Sequence, residues 1–117
     1  MKSLTIPIST DDINSLHAGD SVLLNGVIMT ARDAAHKWLV ETFIHLKTEP
    51  SEADQETYHA IRPLLDNGVI YHCGPVVAGG DGEPYRFVAA GPTTSIREEP
   101  YQGDVIHHLN LRGVIGK

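Results

Sequence analysis

Cysteine is nearly missing from this chain: Cys73 is the single thiol among 117 residues. One thiol excludes an internal disulfide and fits a reducing cytoplasm. It also excludes a cysteine-only metal or iron–sulfur site built by this chain alone. No apolar run approaches a membrane span, and the opening MKSLTIPIS lacks the apolar core of a signal peptide, so neither insertion nor secretion is expected. Positive charge is scarce, with 9 Lys and Arg against 15 Asp and Glu, a formal net charge of -6. Phosphate binding needs clustered cations, so this balance argues against a nucleic-acid partner. Internal repeats and low-complexity linkers are absent too.

What is present is an ordinary globular composition, 41% apolar and 21% charged, in a length that suits one domain. Acidic residues gather between Glu49 and Glu56 and at Glu98 and Glu99. Any anion site must therefore be local, made by a few placed cations rather than by the overall field. That favours a small ligand over a polyanion.

The order of elements reads as a mixed α/β domain, a sheet covered by helices. LTIPI (Leu4 to Ile8) predicts a short edge strand, and TDDINSL a helical turn capped by Thr10. SVLLNGVIMTA predicts a buried strand bent at Asn25-Gly26. Thr30 and Asp33 have the spacing of a capping box, and Ala35, Leu39, Phe43 and Leu46 then recur on one helical stripe beside Trp38. TEPSEADQE reads as a polar surface excursion before a short helix, YHAIRPLLDNG, that ends at Asn67-Gly68. VIYHCG predicts a strand, AGGDGEP a hairpin loop, and YRFVAA the returning strand. GPTTSIREEP opens a helical segment, interrupted at Pro100 and resumed through DVIHHLNLRG, and GVIGK predicts a final strand.

Two stretches could carry chemistry. In GPTTSIR, the hydroxyls of Thr93, Thr94 and Ser95 lie at a helix start, where outward N–H groups favour anions, and Arg97 can grip a carboxylate in a fork. The same residues also make an ordinary hydroxyl cap with a solvated arginine. In TARDAAHK, Arg32 sits where a strand passes into a helix, placed to face a cleft, or else paired with Asp33 or solvated. His36, one turn on, reads as a structural hydrogen-bonder. Lys117 follows a strand and a glycine that would let a ligand approach, although a chain end commonly frays. His107-His108 point different ways on a helix and form no metal set, Cys73 reads as buried and inert, and AGGDGEP lacks the context of a dinucleotide site.

Together, LHAGDSVLLNGVIMTARDAAHK, GVIYHCGPVV, AAGPTTSIR and GVIGK resemble, in order and character, the β subunit or C-terminal domain of iron–sulfur-dependent class I fumarases. They are also similar to the L-tartrate dehydratase β subunit. The resemblance implies a swivelling β/β/α domain over residues 1–117. It also implies an abbreviated or C-terminally incomplete version, because the family domain continues beyond IGK. Its implied activity is reversible hydration of fumarate to (S)-malate in the cytoplasm, with a 4Fe-4S cluster bound by a partner α subunit and not by this chain. Arg32, Arg97 and Lys117 are then implied to bind a small dicarboxylate, with Thr93 contacting substrate and serving proton transfer. Thr93 and Lys117 are the implied catalytic pair. Dehydration of L-tartrate or a related hydroxy acid is the alternative within the family, and a non-catalytic anion-binding or assembly domain is the alternative outside catalysis.

Overall fold

A computed structural model describes residues 1–93 and 99–117 of the chain. Along it run β1 (Lys2–Thr5), α1 (Thr10–Asn14), β2 (Val22–Asn25), β3 (Met29–Thr30), α2 (Asp33–Trp38) and a π-helical segment (Leu39–Ile44). There follow α3 (Glu52–Leu65), β4 (Val69–Tyr71), β5 (Val76–Gly80), β6 (Glu83–Ala89), α4 (Glu99–Leu109) and β7 (Gly113–Ile115). The α/β class expected from the sequence holds. Among the described residues the strands divide into three small sheets: parallel β1–β2, parallel β3–β4–β7 with β4 in the centre, and the antiparallel hairpin β5–β6.

Several local expectations are redrawn by tertiary pairing. Ser9, not Thr10, caps α1 and accepts from the Asp12 N–H at 3.1 Å. SVLLNGVIMTA is broken rather than bent, because β2 and β3 belong to different sheets. The break falls at Gly26, whose φ of 124° is left-handed and where a Cβ would press within 2.9 Å of the Ile6 carbonyl oxygen. Thr30 does not cap a helix, since it pairs with Tyr71 in β3. Arg32 takes the N-cap position in extended conformation, without a side-chain capping bond. The polar excursion is itself helical: Ser51 and Asp54 form a reciprocal capping box and launch α3 fourteen residues long. Pro100 is the second residue of α4 as described, and the helical segment expected to open in GPTTSIREEP falls largely on residues 94–98, outside the described residues.

The expected apolar stripe fails after Leu39 because the helix widens. In the π-helical segment His45 N–H reaches back five residues to Val40 O at 2.7 Å. This turns Leu39, Val40 and Thr42 inward and leaves Leu46 exposed. Leu39, Val40, Leu65, Ile70, Val105 and Leu109 form the main core between the helices and the β3–β4–β7 sheet. Phe43 stacks on Tyr58 of α3, ring centroids 4.0 Å apart, while Trp38 meets Phe43 edge-on and donates from Nε1 to Asp54 at 3.1 Å.

Two matching helix ends set the register of that sheet. After α3, Asn67 takes a left-handed φ of 57°; after α4, Asn110 takes 55°. Asn67 N–H donates to Asn110 O at 2.8 Å, and the Asn110 amide donates to Asp66 and Asn67 at 2.8 and 3.1 Å. Arg62 reaches from α3 to the last carbonyls of α4, at His108 and Leu109. Because both helices stop side by side, β4 and β7 start together, with Val69 opposite Gly113 and Tyr71 opposite Ile115. They consequently end together as well.

Candidate functional site

The carboxyl ends of β3, β4 and β7 open on one edge, the side of a parallel sheet where ligands are usually held. Just past β3, Ala31 N–H still bonds Tyr71 O at 3.0 Å, so the next residue, Arg32, is delivered to this edge. Just past β4 come His72, Cys73 and Gly74, and His72 N–H bonds Ile115 O at 2.8 Å. Past β7 come Gly116 and Lys117, and a methyl built on Gly116 would lie 3.8 Å from His72 Cβ. The chain then returns from the hairpin so that Thr93 N–H donates to His72 O at 2.9 Å. Thus Arg32, Thr93 and Lys117, far apart in sequence, come to one edge. Arg97, with Thr94 and Ser95, lies outside the described residues.

The exposed Arg32 side chain crosses Gly74, where an added Cβ would stand 3.2 Å from its Cδ and 3.5 Å from Nη1. A side chain at position 74 would crowd that track. Behind it, the fully buried His36 grips the Arg32 carbonyl twice, from its backbone N–H at 3.0 Å and from ring Nδ1 at 2.8 Å. A carbonyl can only accept, so Nδ1 carries the proton. His36 is the structural hydrogen-bonder expected of it. Its ring meets the ring of buried His72 edge-on, centroids 6.1 Å apart.

His72 is the residue that sequence reasoning passed over. Its Nδ1 lies 2.6 Å from Thr93 O and 3.3 Å from Thr93 Oγ1, and Thr93 Oγ1 donates to His72 O at 3.2 Å. The available signal was a polar residue inside VIYHCG, one step after an otherwise apolar strand. A central parallel strand delivers its next residue straight to the ligand edge. Cys73 is buried, as expected, beside this edge.

Cys73 is the chain's single cysteine, and among the described residues no group of three or more His, Cys, Asp or Glu is disposed to hold a metal. His107 and His108 meet edge-on, centroids 5.4 Å apart, both exposed on α4. No described helix is long and apolar enough to cross a membrane.

Arg32 and Lys117 place two cationic residues at this edge of a net-acidic chain. The family model described as Fumarase C-terminus matches residues 2–117. The chain belongs to that family. It is 41% identical over 115 residues to a Geobacillus stearothermophilus protein named "Putative fumarate hydratase class I", covering 98% of this chain and 19% of that one. It is 34% identical over 119 residues to the L(+)-tartrate dehydratase subunit beta of Escherichia coli K12, covering 99% of this chain and 50% of the relative. The chain thus spans about half the length of the curated tartrate relatives, and less of the fumarate hydratase. Within this fumarase-family domain, Arg32 supplies a forked cation, Thr93 a hydroxyl tied to β4, and Lys117 a point charge beyond β7.

Proposed function

We propose that the chain is the β-type part of a class I fumarase-like hydro-lyase, which hydrates fumarate to (S)-malate in the cytoplasm with an α subunit carrying a 4Fe-4S cluster. The observation that supports it most is the meeting of Arg32 and Thr93 at the carboxyl edge of one parallel sheet, beside the strand that leads to Lys117. A dicarboxylate offers two planar anions, and Arg32 and Arg97 each answer one with paired N–H donors. Lys117 opposes the charge that gathers on the carboxylate as a proton leaves the neighbouring carbon. Thr93 Oγ1 is this chain's group for that proton, working with an acid from the α subunit. The cluster belongs to the partner in this reading.

The similarity to tartrate dehydratase β subunits supports a second reading, in which the substrate is L-tartrate or a related hydroxy acid. One experiment separates the two. The chain is co-expressed with an α subunit, reconstituted without oxygen, and offered fumarate, malate and L-tartrate. Turnover of fumarate and malate, reduced about 100-fold or more in Arg32→Ala and Arg97→Ala, is the expected result. Turnover of tartrate instead selects the second reading. Absence of any complex sinks both and leaves a non-catalytic anion-binding or assembly domain, whereas wild-type activity in Arg97→Ala removes Arg97 from the proposed dicarboxylate clamp.

A further inference from the structure

We infer that His72 is the positioning residue for Thr93, fixing the direction in which its hydroxyl faces the ligand edge. This rests on the reading of Thr93 as the substrate-facing group. Among the described residues, Thr93 lies beyond the last residue of β6 and outside every strand and helix. Three hydrogen bonds join it to one residue. Thr93 N–H donates to His72 O at 2.9 Å, Thr93 Oγ1 donates to the same oxygen at 3.2 Å, and His72 Nδ1 holds Thr93 O at 2.6 Å.

The backbone bonds would survive many substitutions at position 72, but the ring bond would not. Because Thr93 O can only accept, His72 must be protonated at Nδ1. The same Nδ1 lies 3.3 Å from Thr93 Oγ1, so the ring also limits where the hydroxyl can rotate. The ring itself cannot swing away: His72 is buried, its backbone N–H is tied to Ile115, and its edge meets the ring of His36. His36 in turn holds the Arg32 carbonyl at 2.8 Å. The two imidazoles therefore bracket the edge, one behind the arginine and one behind the threonine. Groups that orient a reacting side chain commonly change activity by about 10–100-fold when lost.

The test uses two amides of similar polarity. Asparagine carries its N–H at the place of Nδ1, whereas glutamine carries it at the place of Nε2. The Thr93 side-chain rotamer is measured by NMR three-bond couplings in wild type, His72→Asn and His72→Gln, with the Trp38 indole signal reporting an intact fold. One rotamer is expected in wild type and His72→Asn, and averaging in His72→Gln; imidazole nitrogen shifts should show the Nδ1–H form of His72. In the complex with an α subunit, His72→Gln should lower kcat about 10-fold or more with KM within about threefold, and His72→Asn should restore it. An averaged Thr93 in wild type, or an unchanged single rotamer in His72→Gln, overturns the inference. A complex that turns over no hydroxy dicarboxylate overturns the functional reading alone, because the rotamer measurement needs no turnover.

Discussion

The β3–β4–β7 sheet and the β5–β6 hairpin are neighbours in the chain and opposites in burial. Ile70 in the centre of β4 is 0% exposed, while Phe87 and Tyr85 in β6 are 63% and 78% exposed. Both regions are built of paired strands, the hairpin with register shifts at Val76/Val77 and Ala78/Gly80, so strand pairing alone does not account for the difference. Helices do. β4 and β7 are each fed by a helix whose apolar side closes over the sheet, and Leu65, Val105 and Leu109 arrive by that route. The hairpin is made by local turn chemistry, with Asp81 and Gly82 both at positive φ as a primed turn requires. His72, Cys73 and Gly74 lie between the two regions, so the candidate site is anchored on its buried side.

The largest test of this contrast is Ile70→Ala. Removing a fully buried side chain from the central strand should cost about 2–5 kcal/mol, read as a fall in the denaturant midpoint at constant slope. A loss below about 1 kcal/mol would mean that the stability of the fold lies elsewhere.

Much of this organisation was legible in the sequence, for physical reasons that also explain the misses. Strand signals in VIYHCG, YRFVAA and GVIGK are short-range, and a strand formed at each. The loop expected over AGGDGEP is only the turn at Asp81-Gly82, with Ala78 to Gly80 in β5 and Glu83 and Pro84 in β6. The Asn67-Gly68 stop held because a left-handed cap is a local backbone property. The helix after Thr30 was misread at both ends because long-range pairing decided them. Thr30 was taken by β4, and the stripe through Leu46 was undone by a π-helical widening that periodicity at 3.6 residues does not express. α3 was missed as a full helix because its first turns are polar, although Ser51 and Asp54 carried the capping signal. Arg32 and Thr93 were singled out from their motifs, and the fold brings both to one sheet edge. His72 was not, because its importance comes from a strand order that one strand alone does not reveal.

A middle-sized effect is expected at that overlooked cap. Ser51→Ala removes the bond to Asp54 N–H and should cost about 1 kcal/mol, lowering the melting temperature without touching the sheet. The Asp54 carboxyl supplies a pH handle. The Ser51 backbone N–H first, then the Trp38 indole, hold its pKa below the ordinary carboxylate range. A depressed folded pKa gives stability that is present above the unfolded value near ~4 and lost as pH falls through the folded value. Asp54→Asn should therefore flatten the acid limb of a stability–pH curve; an unchanged limb would remove Asp54 from the account.

The smallest expected effect lies in the hairpin, and its smallness is the point. Phe87→Ser removes a large ring, yet that ring is mostly in water and fills no part of either buried cluster. Global stability should move by no more than about 0.5 kcal/mol. Hydrogen exchange should show the amides of β5 and β6 opening at a lower free energy than those of β4, in wild type and variant alike. If Phe87→Ser instead cost as much as Ile70→Ala, the hairpin would have to be part of the core, and burial by helices would no longer divide the molecule. A small loss with fast hairpin exchange would place the boundary at His72 to Gly74, where the ordered edge of the sheet meets the segment that carries Thr93.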